Sequence, residues 1–245
     1  RRDTYVLNDT STAADAGDEP LLLYRRTGAP VAVSADRADA ARALLAQHPE
    51  LQILIGDDGL QHYRLHRDIE IAVYPSADAV RRPDLLPNGP LREPLSRLAH
   101  TDAVVFSQAD NGLPECAFRL PEARFHSRLR IGTPYRFIRP SDILSEPPPP
   151  HAVCAAAAAI ARPERFFQSL RDWGIHLAHT HVLPDHAALN LRELPPADYV
   201  FITEKDAVKL PPDTPENVWV LPVCAIIEPD LCGWLLQRLP LVAPR

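Results

Sequence analysis

The chain has 245 residues, 46% hydrophobic and 24% charged. That is enough to bury a sizeable core as one large domain or two smaller ones. Its formal charge of −6, from 26 basic and 32 acidic side chains, argues against a nucleic-acid backbone as the main partner.

The 27 prolines are about double ordinary usage, but with only 9 glycines the two together stay below the level that signals disorder. Cys116, Cys154, Cys224 and Cys232 show no C-x-x-C spacing, so neither zinc nor a redox motif is indicated and reduced thiols are expected. No stretch approaches the roughly 20 apolar residues that span a bilayer. No signal peptide is visible. The chain contains no methionine and opens on Arg1-Arg2, so a natural start further upstream is expected.

In chain order, residues 1–15 read as a polar loop. G-D-E-P-L-L-L (Gly17 to Leu23) follows, with Asp18 and Glu19 suited to the positive end of a helix dipole. Pro30 to Val33 is a short strand. Asp36 to Gln47 is a helix with Asp36 as N-cap and Ala40, Ala43 and Leu44 on one face. Leu51 to Ile55 is a continuous aliphatic run that ends in Asp57, Asp58 and Gly59. Such a run reads as a buried strand, and in open α/β sheets ligands bind at the carboxyl ends of such strands. Two acids there are either solvated turn residues or ligands for Mg²⁺, which takes one or two carboxylates and fills its other positions with water and phosphate.

Ile69 to Tyr74 and Ala103 to Phe106 are further strands. Between them, Leu85 to Leu98 is stiffened at its start by Pro87, Pro90 and Pro94. Arg92 and Glu93 sit within it, readable as a surface ion pair. Residues 111–145 suggest a hairpin or extended arm rather than core, and Pro147 to Pro150 form a polyproline-prone spacer. The second half restarts with a strand at His151 to Ala156. A helix then runs from Pro163 to just before Gly174, with Phe166, Phe167, Leu170 and Trp173 facing inward. A strand near His176 to Val182 leads into L-P-D-H, and Asp198 to Ile202 leads into T-E-K-D, where Thr203 and Asp206 have capping-box spacing. A last helix begins at Pro229, with Leu231, Trp234, Leu235 and Leu239 inward.

Six motifs occur in a fixed order: G-D-E-P, D-D-G-L-Q-H-Y-R-L, G-P-L-R-E-P-L-S-R-L, R-P-E-R-F-F, P-D-H and T-E-K-D-A-V-K. Together they span nearly the whole chain, which resembles the tetraacyldisaccharide 4′-kinases, the lipid A 4′-kinases of Gram-negative bacteria. The resemblance implies an α/β fold of two α/β/α domains with mostly parallel sheets. The expected division is 1–110 for a P-loop-kinase-like domain, incomplete here, 111–150 for a hairpin linker and 151–245 for a C-terminal α/β domain. It implies transfer of the ATP γ-phosphate to the 4′-hydroxyl of a tetraacylated glucosamine disaccharide 1-phosphate, in a cleft between the domains at the cytoplasmic face of the inner membrane.

The same resemblance implies the site. Asp57, Asp58 and Glu93 would hold or orient Mg²⁺, Arg92 and Glu93 would lie by the ATP phosphates, and Asp18 and His186 would handle the acceptor proton. Three departures bear on loop geometry: Ala159 stands where the family usually has Gly, Leu183 where Phe is frequent, and Tyr74 to Asp84 lacks the usual glycine-rich signals. Two rival readings are a metal-dependent phosphohydrolase built on Asp57 and Asp58, and a non-catalytic lipid-binding relative.

The family's P-loop, of Gly-Gly-x-Gly-Lys-Thr type, is not found in this chain. A P-loop's backbone N–H groups and Lys hold the phosphates. This chain alone, incubated with ATP, Mg²⁺ and the disaccharide lipid, is therefore expected to yield no 4′-phosphorylated product. Product visible by thin-layer chromatography would overturn that expectation.

Overall fold

A computed structural model describes residues 3–79, 83–109 and 112–239. The chain forms two compact units, each assembled from two separate segments. One comprises Arg1–Pro49 and Ile131–Val223, the other Glu50–Arg130 and Cys224–Arg245. Its elements begin with β1 (Tyr5–Val6), α1 (Ala13–Ala16), α2 (Asp18–Thr27), β2 (Ala32–Val33) and α3 (Arg37–Gln47). β3 (Ile71–Pro75), β4 (Ala103–Ser107) and β5 (Ala123–Ile131) follow, then a hairpin of β6 (Tyr135–Arg136) and β7 (Arg139–Ile143). The remainder is β8 (Cys154–Ala158), α4 (Pro163–Asp172), β9 (Leu177–Val182), β10 (Tyr199–Thr203), α5 (Glu204–Ala207), β11 (Val218–Leu221), β12 (Val223–Glu228) and α6 (Leu231–Leu236).

The first unit is built on a six-stranded sheet of order β7-β6-β11-β10-β8-β9. Its four central and outer strands β9, β8, β10 and β11 are parallel, and the β6–β7 hairpin adds to the β11 edge antiparallel. Parallel strands covered on both faces read as near-continuous apolar runs, as β8, β10 and β11 do, whereas the edge strand β9 is polar and largely exposed. Side chains still take turns between two layers. Phe201, Trp219 and Leu221 pack with Phe166, Phe167 and Leu170 of α4, whereas Val200, Ile202, Val218 and Val220 pack with Leu189 and Ala207 on the opposite face. The alanine run of β8 is required by this sandwich: Ala155 to Ala159 are all essentially without solvent access, pressed between both layers. A separate small core joins Leu7 and Leu21 to Val208.

The second unit contains a four-stranded sheet of order β12-β5-β4-β3, with β3, β4 and β5 parallel. Val104 and Phe106 face Tyr74 and Ala79 on one side, and Ala103, Val105 and Phe125 face Ile227, Leu231 and Trp234 on the other. The expected α/β class with mostly parallel sheets is therefore what the chain forms.

Several local readings hold. Asp36 caps α3, its carboxylate accepting from the Ala38 N–H at 2.9 Å. Pro163 opens α4, and Gly174 lies just beyond its end at φ +96°. Others are corrected. The polar opening contains β1 and α1. The first exists because Tyr5 and Val6 pair with Val33 and Ala32, and the second because Asp15 takes the Thr12 hydroxyl and N–H. The R-F-H-S-R-L-R-I piece is not a peripheral arm; it is β5, and Phe125 is buried in a core. Leu51 to Ile55 is not a buried strand. A strand needs a ladder partner, none of the described strands pairs with this run, and Ile55 is 92% exposed.

The division by chain order also gives way. The hairpin at 135–143 hydrogen-bonds to β11, Leu21 packs on Val208, and Trp234 packs on Phe125, so each unit draws on both halves of the sequence. The proline run belongs inside the first unit, with the Pro149 carbonyl accepting from the Ala152 N–H. Residues 1, 2, 80–82, 110, 111 and 240–245 of the expected ranges lie outside the described residues.

Phe167 has no exposure and Ile55 has almost full exposure, so they separate core from surface. Phe167→Ala is expected to cost about 3–5 kcal/mol of stability, and Ile55→Ala no more than about 0.5 kcal/mol. Comparable losses for the two in urea titrations would mean that the apolar run is packed after all.

Candidate functional site

In the first unit, the chemistry-bearing residues gather at the carboxyl ends of β8, β9 and β10. The turn after β9 is strapped to the end of β8, as Leu183 N–H donates to the Ala158 carbonyl at 3.0 Å and His186 N–H to the Ala159 carbonyl at 3.2 Å. Ala159, where a glycine was expected, serves both of its backbone bonds with a negative φ and full burial. Leu183 packs against the core beneath. His186 itself sits at φ +64°. Outside glycine, that region costs of order 1–3 kcal/mol and persists only where the surroundings impose it.

Asp18 is the first residue of α2, directly after Gly17 at φ +94°. Its carboxylate is largely buried, at 11% exposure, while the His186 ring is 58% exposed. The two meet at 3.2 Å between His186 Nδ1 and Asp18 Oδ2, across 168 residues of sequence. An ionised carboxylate only accepts, so Nδ1 carries the hydrogen in this pair, and Nε2 is the ring nitrogen on the other side. Sequence order placed Asp18 and His186 in different domains; the structure places both in the first unit, because α2 packs there through Leu21.

Two lysines that sequence reasoning left unassigned complete this cluster. Thr203 and Asp206 form the expected cap, with the Asp206 N–H donating to Thr203 Oγ1 and that hydroxyl donating to Asp206 Oδ2 at 2.7 Å. The same turn carries Lys205 and Lys209, four residues apart, toward the Asp18–His186 pair. Lys205 Nζ reaches Glu19 at 2.9 Å, Asp185 at 3.3 Å and His186 Nε2 at 3.4 Å. Burial opposes protonation of Lys205, but the hydrogen bonds and charges of Glu19 and Asp185 outweigh it and raise its pKa. Asp185 moves the other way: desolvation, the largest single influence, is outweighed by the combined hydrogen bonds and charges of Lys205 and His186, and its carboxyl lies below the ordinary range. The spacing of the lysines at i and i+4 after a strand end was the available signal.

The second unit holds Asp57, Asp58, Arg92 and Glu93. Asp57 and Asp58 are exposed, and Asp58 has φ +49°, a conformation aspartate tolerates. Arg92 Nη1 lies 3.3 Å from Asp58 Oδ2, both side chains being well exposed. Glu93 is turned toward protein instead, its Oε1 accepting from Gln61 at 2.6 Å and its Oε2 facing Arg97 at 3.3 Å. Arg97 also bonds Glu70, and Arg67 Nη1 donates to the Gly59 and Leu60 carbonyls at 3.0 and 2.9 Å. This frame fixes the loop on which the two aspartates ride.

Among the described residues, no group of three or more His, Cys, Asp or Glu side chains forms a metal cage. Asp57 and Asp58 nevertheless match what Mg²⁺ accepts, since it needs only one or two carboxylate oxygens and keeps water and phosphate for the rest. The exposed, hard oxygen donors fit that ion; Glu93 is committed to Gln61 and Arg97.

The family model described as tetraacyldisaccharide-1-P 4′-kinase matches residues 1–240. A tetraacyldisaccharide 4′-kinase of Neisseria meningitidis serogroup C is 56% identical over 96% of this chain and 68% of its own length. One from Chromobacterium violaceum is 45% identical over 94% of this chain and 68% of its own. Among solved structures, LpxK from Aquifex aeolicus in complex with ATP superposes with a TM-score of 0.77 at 24% identity, covering 98% of this chain and 75% of that one, which is a likeness of fold.

The exposed Arg92–Asp58 pair is worth about 0–1 kcal/mol, whereas Arg97 makes charge-assisted bonds in a part-buried setting, worth about 1.5–3 kcal/mol each. Arg97→Ala is thus expected to lower the thermal midpoint clearly and Arg92→Ala hardly at all. The reverse order in calorimetry would show that the frame around the aspartates is not what holds that loop.

Proposed function

This chain belongs to the tetraacyldisaccharide-1-P 4′-kinase family, and on that premise we propose that it transfers the γ-phosphoryl group of ATP to the 4′-hydroxyl of a tetraacylated glucosamine disaccharide 1-phosphate. The observation that carries this reading is the Asp18–His186 contact of 3.2 Å at the carboxyl ends of parallel strands. A sugar hydroxyl that attacks phosphorus has to lose its proton, and an exposed imidazole backed by a buried carboxylate is built to take it. In this reading the lone pair of His186 Nε2 exchanges Lys205 Nζ, 3.4 Å away in this structure, for the 4′-hydroxyl and accepts its proton, and Asp18, already bonded to Nδ1–H, stabilises the ring once it is charged.

Phosphoryl transfer is mostly positioning and charge neutralisation. Asp57 and Asp58 are the residues that would hold Mg²⁺, which when bound neutralises negative charge on the ATP phosphates. Arg92, exposed beside Asp58, would turn its guanidinium to the phosphates, and Glu93 would orient the loop through Gln61 and Arg97. No described helix is long and apolar enough to cross a membrane. In the same reading the enzyme meets its acylated substrate at the cytoplasmic surface of the inner membrane.

In protein expressed from the full open reading frame, Asp18→Ala and His186→Ala are each expected to lower kcat by roughly 10²-fold or more. The double variant should be little worse than the worse single, because residues acting as a unit are not additive. Phosphorylation of the disaccharide lipid at saturating ATP is the measurement. Losses that simply multiply would separate the two residues and remove the paired role.

A further inference from the structure

Asp206 has no exposure at all. Its Oδ2 accepts from Thr203 Oγ1 at 2.7 Å and from the Ala159 N–H at 3.1 Å. Among the described residues its Oδ1 accepts no other hydrogen bond, and the charge that meets it is Lys209 Nζ at 2.8 Å. A buried charge left uncompensated is strongly destabilising, so the carboxylate and the ammonium have to stay together. The Lys209 side chain is itself 9% exposed, too enclosed to meet a substrate directly.

Its remaining directions all lead to the Asp18–His186 pair. Lys209 Nζ donates to the Ala187 carbonyl at 2.8 Å, one residue past His186, and lies 3.9 Å from Asp18 Oδ2, the same oxygen that His186 Nδ1 approaches. Asp206 works on the other flank: it holds the Ala159 N–H, and the Ala159 carbonyl holds the His186 N–H. One ion pair thus grips the strained turn from both sides and faces the carboxylate partner as well. Around the dyad, Lys205, Glu19 and Asp185 sit on the outer side of the ring, and Lys209 and Asp206 on the inner side.

Resting on the proposed phosphoryl transfer, we infer that Lys209, anchored by Asp206, is a positioning residue of the reaction. It holds Asp18 and the His186 turn in register so that Nδ1–H points at the carboxylate and Nε2, beside Lys205 Nζ at 3.4 Å, is the ring nitrogen presented to the acceptor hydroxyl. Lys209 takes no proton in the transfer and acts only through the pair that does. It differs in this from a capping or core residue, whose loss would lower stability without altering the state of the imidazole.

The test uses protein expressed from the full open reading frame and ¹⁵N NMR of the histidine rings, assigned with His186→Gln. The wild type is expected to show His186 predominantly as the Nδ1–H tautomer. Lys209→Met should shift it toward the Nε2–H form that free imidazole side chains favour in water, and lower kcat at least tenfold with KM for the disaccharide lipid changed less than threefold. Lys209→Arg, which keeps the charge, should recover part of both.

Because Lys209→Met leaves Asp206 buried and uncompensated, the same readings are made on the double variant Asp206→Asn/Lys209→Met, which removes both charges at similar volume. That variant is expected to fold and to show the same tautomer shift and the same kcat loss. A folded double variant with wild-type tautomer and kcat overturns the inference, as does a wild type whose His186 is in the Nε2–H form. Absence of 4′-phosphorylation by the wild type would instead overturn the proposed function, while the tautomer shift would still report whether Lys209 positions the ring.

Discussion

A carboxylate cut off from water has to be compensated completely by the protein around it, and Asp206 imposes that condition on the first unit. Its two oxygens draw in the cap of α5, the backbone at the end of β8 and the ammonium of Lys209. The cap and Lys209 flank α5 and Ala159 follows β8, and Ala159 and Lys209 each carry a further bond to the turn around His186. The arrangement at the strand ends is therefore a single connected set of obligations rather than a collection of independent contacts. Neutral hydrophobic residues of the same volume could pack as stably. What they could not supply is direction, because only a charged, hydrogen-bonded group fixes where a neighbouring carbonyl and carboxylate must lie.

The second unit reaches its order by a different route. There the acids of interest are in water, and the buried work is done one layer back by Arg67, Glu70 and Arg97, whose side chains are 15–24% exposed. Exposed aspartates ride on a semi-enclosed ionic frame. Such a layout suits residues that have to meet a hydrated ion and a polyphosphate, which arrive with their own oxygen shell. The contrast with the Asp18–His186 pair, where the carboxylate is hidden and the imidazole is exposed, matches the division that the proposed function draws between binding a charged ligand and moving one proton.

How much of this could be read from the residues depended on whether the information was local. α3 and α4 were legible because their caps and their apolar period sit within a dozen residues, and so were the buried strands β4, β8 and β10. The run Leu51 to Ile55 misled because an aliphatic segment declares only that it could be a strand; whether it is one depends on a ladder partner elsewhere in the chain. β11 and β12 escaped notice since Pro222 divides two short runs with no clear alternation. Asp18, His186, Asp57 and Asp58 stood out only through a resemblance spread over the chain, and composition left each with a plain surface alternative. Lys205 and Lys209 were hidden in plain view. Their capping-box neighbours gave a sufficient local account of the segment, and nothing in the sequence says that the face they share looks onto His186.

The interleaving of the two units sets the order in which this protein can be made. Leu7 and Leu21, near the start of the chain, find their partner Val208 only after most of it has left the ribosome. Until then the face of α2 around Leu21 has only its N-terminal neighbours such as Leu7, Val31 and Val33 to cover it, and the first unit waits for a closing segment almost 190 residues downstream of Leu21. Contacts of such long sequence separation make folding slow and leave unfinished surfaces open to association. A nascent chain of this design is consequently one that has to be kept apart from its copies until the segment around Val208 has been made.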